Sequence, residues 1–284
     1  MISDYVSAGS RASSRNGGPR ESTKKIGNLV APLIKDIYND GNTISFMSRS
    51  SQTIKQLTER VIEMHYDLGC PADSHAYILG GYVDVTTREV DEFYRLYSSG
   101  SESTRTVRYE EVIFEYSVPE AIAKLISEVV ASARRLREEG IRPCYATVPP
   151  ASLQKWNNFR YDSGRTAGLL HEHQYQEMQE ALTASLAVAN GVICKLNTYH
   201  CMQTPYLAGT VLRTKTGHDQ SKKYILQEHK LYDGVHADDN LIEKWAEKLL
   251  AAIRENRTGR MAATQKKDRP LSTPLSDTLV QSLF

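Results

Sequence analysis

The chain has little of what would classify it quickly. Its four cysteines, Cys70, Cys144, Cys194 and Cys201, include no CxxC pair, so neither a zinc-ribbon nor a dense disulfide framework is written in it. Cys144 and Cys194 stand in apolar stretches that read as strands, where a thiol behaves as a small buried hydrophobe. A reducing, intracellular setting, cytoplasmic or nuclear, is the expectation. No run of 18 apolar residues occurs in the 284, which leaves no candidate for a membrane-spanning helix and no expected membrane partner. Residues 1–25 contain no apolar block of the secretory kind, so no signal peptide is expected. Net charge is nearly absent too, at +1.

That small net charge hides an uneven distribution. Residues 1–25 sum to +3, residues 257–270 to +4 and residues 271–284 to −1, which leaves residues 26–256 at −5. Two readings stand for the basic ends. They hold an anionic partner such as RNA through non-specific charge, or they are solubilising tails. Residues 7–25 are rich in Ser, Gly and Arg and lack large apolar side chains, a composition that cannot support a core. The division expected is a disordered basic tail at 1–25, one folded domain at 26–256, and a second basic tail at 257–284. The last residues, 271–284, turn apolar again and read as a docking peptide for a protein partner or as a frayed end.

Between the tails, strand-like and helix-like stretches alternate. Residues 42–47 make a short strand candidate. Residues 53–67 put Ile54, Leu57, Val61 and Met64 on one helical face,. Residues 75–85 open as a buried strand and run into Gly80 and Gly81. Residues 119–140 form an amphipathic helix with Pro119 near its start and Gly140 just past its end. Residues 142–150 are a strand stopped by Pro149 and Pro150. Residues 174–190 are a helix stopped by Gly191, residues 192–199 a further strand, and residues 238–255 a closing helix capped by Asp238 or Asp239. Strands separated by helices of this length predict right-handed crossovers, a mostly parallel sheet, and a site at the carboxyl ends of the strands.

Three stretches bring a family into view. Residues 79–86 read LGGYVDVT, residues 144–150 read CYATVPP, and residues 232–249 read YDGVHADDNLIEKWAEKL. In order and spacing they resemble the Gly-x-Asn-Asp motif, the proline-ended strand and the Asp-x-x-His with closing helix of the SGNH (GDSL-type) hydrolase superfamily. The likeness covers about 24–255 and is nearest to esterase-like domains in open reading frames of animal transposable elements. Residues 48–57, SRSSQTIKQL, resemble the family's Gly-x-x-Gly-x-Thr stretch. The resemblance implies a flavodoxin-like, three-layer α/β/α fold with a five-stranded, mostly parallel sheet and no cofactor. It also implies an acyl-transfer site. In the family a Ser attacks, a His takes its proton, and an Asp three residues earlier orients the imidazole.

Carried over residue by residue, the site is incomplete. Asp233 and His236 match the dyad. The Gly-Asp-Ser slot falls on Gly27-Asn28-Leu29, and Leu29 has no nucleophilic atom. The second-block Gly falls on Ser51, or on Ser50 with the register moved by one. The oxyanion Asn slot falls on Val83, which cannot donate. Binding residues expected around the dyad are Ser48, Ser50, Ser51, Gly81 and Tyr82. The first expectation is a pseudohydrolase, a binding or scaffold module in a ribonucleoprotein setting. Its alternatives are an active serine esterase with a displaced nucleophile and a self-associating structural protein.

Other candidates have plainer readings beside them. The serines at 48, 50 and 51 are a relocated nucleophile or caps for the helix near Thr53. His171-Glu172-His173 offers two imidazoles at i and i+2 but no third ligand, so no metal site is expected. Asp162-Ser163-Gly164 is a turn. The Tyr/Arg-rich residues 93–109 are an RNA-stacking surface or a solvated excursion. Asp233 and His236 themselves are a remnant of catalysis or a structural hydrogen-bonded pair.

Overall fold

The computed structural model describes residues 2–4, 26, 29–30, 32–33, 46–48, 52–86, 118–162, 172–216 and 222–258. Four parallel strands make the main sheet, in the order β2-β1-β3-β4. They are β1 (Ile2–Asp4), β2 (Phe46–Ser48), β3 (His75–Ile78) and β4 (Arg142–Tyr145). Ile2 is in register with both Phe46 and Tyr77, so β1 lies in the middle of the sheet. Ile2–Asp4 fall within the stretch read from sequence as a tail. The remaining tail residues, other than 257 and 258, lie outside the described residues, as do 93–109.

The helices are α1 (Ile54–Asp67), α2 (Tyr82–Thr86), α3 (Val118–Glu138), α4 (Leu153–Asp162), α5 (Glu172–Tyr199) and α6 (Asp239–Thr258). Strand alternation explains the layers, because successive side chains point to opposite faces. Ala76, Ile78 and Tyr145 join a core with Ile54, Leu57 and Val61 of α1, Leu125 and Val129 of α3, and Leu186 and Ile193 of α5. Tyr77, Leu79, Cys144 and Ala146 join a second core with Ile26 and Val30 and with Leu241, Trp245 and Leu249 of α6. The result is an α/β sandwich with helices on both faces. A separate antiparallel hairpin, β5 (Leu212–Thr216) with β6 (Lys222–Leu226), follows.

The fifth parallel strand expected at 192–199 is absent: those residues continue α5. Gly191 does not stop the helix. A lone glycine costs a helix only ~1 kcal/mol against alanine, and Leu182, Leu186, Ala189, Ile193 and Leu196 keep a buried stripe at helical spacing through it,. The free edge of β4 is met by two side chains of that helix. Asn197 Oδ1 accepts from Tyr145 N at 2.9 Å and its Nδ2 donates to Tyr145 O at 2.7 Å. Two turns earlier, Asn190 Oδ1 accepts from Val148 N at 2.7 Å and its Nδ2 donates to Val148 O at 2.9 Å. An amide side chain offers one donor and one acceptor, as a neighbouring strand would. Below the β3 face, the hydroxyl of Ser132 bonds that of Thr58 and lies 2.6 Å from the Tyr145 hydroxyl.

Buried His200 and half-buried His75 sit near the amino edge of the sheet. Burial first, then the charge of Arg142, lowers His75 to about 4. Burial, then Arg137 and Arg142, lowers His200 to about 3. Arg137 Nη1 stands 3.0 Å from His200 Nδ1, a contact that needs the neutral ring as acceptor.

Two outcomes follow from these packing facts. Asn197→Ala leaves the buried N–H and C=O of Tyr145 without their side-chain partner and should cost about 3 kcal/mol, read as a lower urea midpoint at unchanged slope. Because both histidine pKa values are lower folded than unfolded, the unfolded chain binds more protons below about pH 6.5. Stability should therefore fall as pH drops from 6.5 towards 4, and His200→Asn should flatten part of that fall in pH-dependent denaturation.

Candidate functional site

The carboxyl ends of β3 and β4 and the loop before α6 meet at one edge. After β3 the chain turns at Gly81, whose φ is +105°. A Cβ there would come within 2.9 Å of Val148 Cγ2, so glycine permits both the turn and the close approach. Tyr82 and Val83 then open α2 with buried side chains, Val83 being 5% exposed. Asp84 follows, buried, and its two carboxylate oxygens accept from Ile54 N at 3.2 and 3.0 Å. It thereby joins the β3 turn to the amino end of α1, where a carboxylate is favoured by the helix dipole. Thr53 closes the same end with a capping box: its Oγ1 accepts from Gln56 N, and Gln56 Oε1 accepts from Thr53 N,.

The Asp233–His236 pair is built by its own loop. Leu231 and Ala237 form an antiparallel bridge, and Tyr232 N donates to His236 O at 2.6 Å. Gly234, at φ +99°, turns the chain between them. Asp233 Oδ1 accepts from Val235 N at 2.9 Å and His236 N at 2.7 Å, and Oδ2 bonds His236 Nδ1. Asp233 is 3% exposed, while the His236 side chain is 24% exposed. Burial acts to raise the Asp233 carboxyl. The His236 hydrogen bond and charge, with the two backbone N–H groups, outweigh it and hold the carboxyl below its ordinary value,. An ionised carboxylate only accepts, so Nδ1 carries the hydrogen of this bond,. Asp238, not Asp239, caps α6: its Oδ1 accepts from Leu241 N at 2.7 Å.

A helix that sequence reasoning missed supports this loop. Its first turn follows Pro149 and Pro150. Ser152 N donates to Gly234 O at 2.7 Å, and Ser152 Oγ donates to Glu228 Oε1 at 2.9 Å while accepting from Lys155 N. Lys155 Nζ donates to Leu231 O and, at 3.3 Å, to Glu228 O. The Trp156 ring meets the His236 ring edge-on, with centroids 6.1 Å apart. The signal available was a Ser directly before Leu-Gln-Lys-Trp, a helix start after two prolines.

Leu29 is the position the family resemblance matched to the nucleophile. Leu29 lies in helical backbone and packs on the second core. Ser48 ends β2, and Ser50 and Ser51 lie outside the described residues. Glu172 and His173 belong to α5, not to a strand, and His171 lies outside. Asp162 ends α4. Among the described residues no group of three His, Cys, Asp or Glu is placed to hold a metal, and no helix is long and apolar enough to cross a membrane. All four cysteines are free thiols. Burial pushes the Cys144 thiol far up, so it is no nucleophile.

No protein-family model matches the chain, and no curated protein does either. Among solved structures, it is similar to a GDSL-like lipase from Bacteroides thetaiotaomicron at 14% identity and TM-score 0.41, with 82% of each chain covered. It is also similar to a "putative acylhydrolase" from Bacteroides fragilis at 14% identity and TM-score 0.44, covering 83% of this chain and 82% of that one. A likeness this loose transfers no activity.

Gly234 is the tightest point of the site. A Cβ there would lie 2.5 Å from Trp156 N and 2.6 Å from Ser152 O, both backbone atoms. Gly234→Ala should cost at least ~2 kcal/mol through strain and clash. It should also erase the far-downfield proton resonance of the His236–Asp233 hydrogen bond, as read by NMR.

Proposed function

We propose that this chain is an SGNH-hydrolase-like domain that binds at the carboxyl edge of its sheet without hydrolysing acyl esters. The observation that carries the reading is Val83. In the family's third motif an Asn side chain stabilises the oxyanion at that position, and here a buried hydrocarbon stands there. Loss of one such donor costs about 2.7–4 kcal/mol of barrier. Asp84, next to it, is engaged with Ile54 N on both oxygens. The expected result is that full-length protein turns over short-chain nitrophenyl esters no faster than His236→Ala. Turnover that His236→Ala abolishes would overturn it.

One observation favours a second reading, an acyl hydrolase with its serine elsewhere. Asp233 and His236 are bonded through Nδ1, in the geometry a general base uses,. The same ester assay separates the two.

For the ligand, the charge pattern supports RNA held by the basic segments 1–25 and 257–270 against a core of −5. Contact of this kind is electrostatic and reads phosphate, not bases. Affinity for a single strand should fall with salt at a log–log slope of roughly −0.7 per neutralised phosphate. Charge-neutral substitutions of Arg257, Arg260, Lys266 and Lys267 should reduce both affinity and slope in a filter-binding titration. An unchanged slope would place the contact elsewhere. The apolar segment 271–284 remains the proposed contact for a protein partner.

A further inference from the structure

We infer that the first turn of α4 is the device that holds the imidazole of His236, with Trp156 as its positioning residue. The inference rests on the reading of His236 as the group that meets the ligand. The hydrogen bond from Nδ1 to Asp233 ties one atom of the ring, which still leaves the plane of the ring to be set. Trp156 supplies that second restraint: its ring stands at 65° to the imidazole with centroids 6.1 Å apart, the edge-to-face arrangement aromatic pairs prefer. Trp156 is itself held. It stacks on Phe159 at 5.8 Å and 19°, and Phe159 meets Tyr232 edge-on at 5.9 Å. Tyr232 N bonds His236 O. The rings therefore form a circuit that starts and ends at the histidine loop.

The backbone of the same turn locks the loop from below. Ser152 N bonds Gly234 O, and Trp156 N and Ser152 O occupy the space a Gly234 side chain would need. Lys155 Nζ reaches across to Leu231 O, two residues before Asp233. Three consecutive contacts, from Leu231, Gly234 and His236, thus converge on one helical turn. A turn that served only to cover the core would not place a charged amine on a loop carbonyl and a ring edge on the imidazole.

The test uses the full chain with no substrate, so failure to hydrolyse esters or to bind RNA leaves the inference untouched. Its own failure leaves the function reading untouched too. NMR follows the His236 Nδ1 proton and its exchange with solvent in Trp156→Ala, Trp156→Phe, Lys155→Met and the control Trp245→Phe, beside a thermal midpoint for each. Trp156→Ala should speed exchange roughly two- to tenfold, the range set by one aromatic pair. Trp156→Phe should restore most of the wild-type rate, and Trp245→Phe should leave it unchanged. Lys155→Met should speed exchange in the same direction. An unchanged Nδ1 signal in Trp156→Ala overturns the inference. If Trp156→Ala fails to fold, an unchanged signal in Lys155→Met overturns it.

Discussion

Main-chain polar groups at a sheet edge must be bonded, and in this molecule that requirement is met by a helix. β4 is the last strand of the parallel sheet. Its outer N–H and C=O groups at Tyr145, and those of Val148 just beyond, would otherwise be buried without a strand to pair them. Asn197 and Asn190, one heptad apart on α5, supply that pairing from a single face. The constraint fixes how α5 lies along β4. It also fixes where β4 ends and hands over to the segment that carries Val148, Pro149 and Pro150. Edges left open invite association, and here the helix covers the edge with hydrogen bonds as well as with hydrocarbon.

The site is an extension of that edge. Val148, held by Asn190, is the atom group against which Gly81 turns. Four residues later, Ser152 caps α4 and bonds Gly234. The β3 turn, the β4 exit and the histidine loop are therefore linked through one short segment, 146–152. What that arrangement preorganises is a histidine held through Nδ1 beside an ionised, buried aspartate. Val83, beside the same edge, presents a buried hydrocarbon side chain. A fold can thus hold an imidazole by its buried counter-charge through contacts confined to one loop and one helical turn.

The sequence exposed some of this and concealed the rest for physical reasons. The buried stripes of α1, α3 and α6 and the apolar runs of β3 and β4 follow periodicity alone, and they were legible. The Asp233–His236 contact was legible because its geometry is local, and the cap of α6 was narrowed to Asp238 or Asp239 for the same reason. The strand forecast at 192–199 failed because Val192, Ile193 and Cys194 are β-branched or apolar, and a helix buried against β4 needs the same residues. Gly191 reinforced the error by looking like a stop. β1 was invisible because three residues, Ile2–Asp4, carry no periodicity, and the polar stretch after them suggested a tail. The Ser152–Gly234 clamp was unreadable in principle: it joins residues 82 apart through backbone atoms, which no side-chain pattern reports.

The asparagine that seals the edge is followed by a glycine, and that pair has a chemistry of its own. Where the chain is loose, the unhindered nitrogen of Gly191 can attack the side-chain carbonyl carbon of Asn190, expel ammonia and close a succinimide. Water then opens the ring to aspartate or isoaspartate. In the folded helix both reactants are occupied, the nitrogen by the helix and the amide by Val148. The reaction therefore waits for α5 to unwind. Its products cannot resume the old role, because a carboxylate has no N–H to offer Val148 O and an isoaspartate lengthens the backbone. Every opening of the helix carries a chance of becoming permanent, so the molecule ages at the same place that keeps its sheet closed.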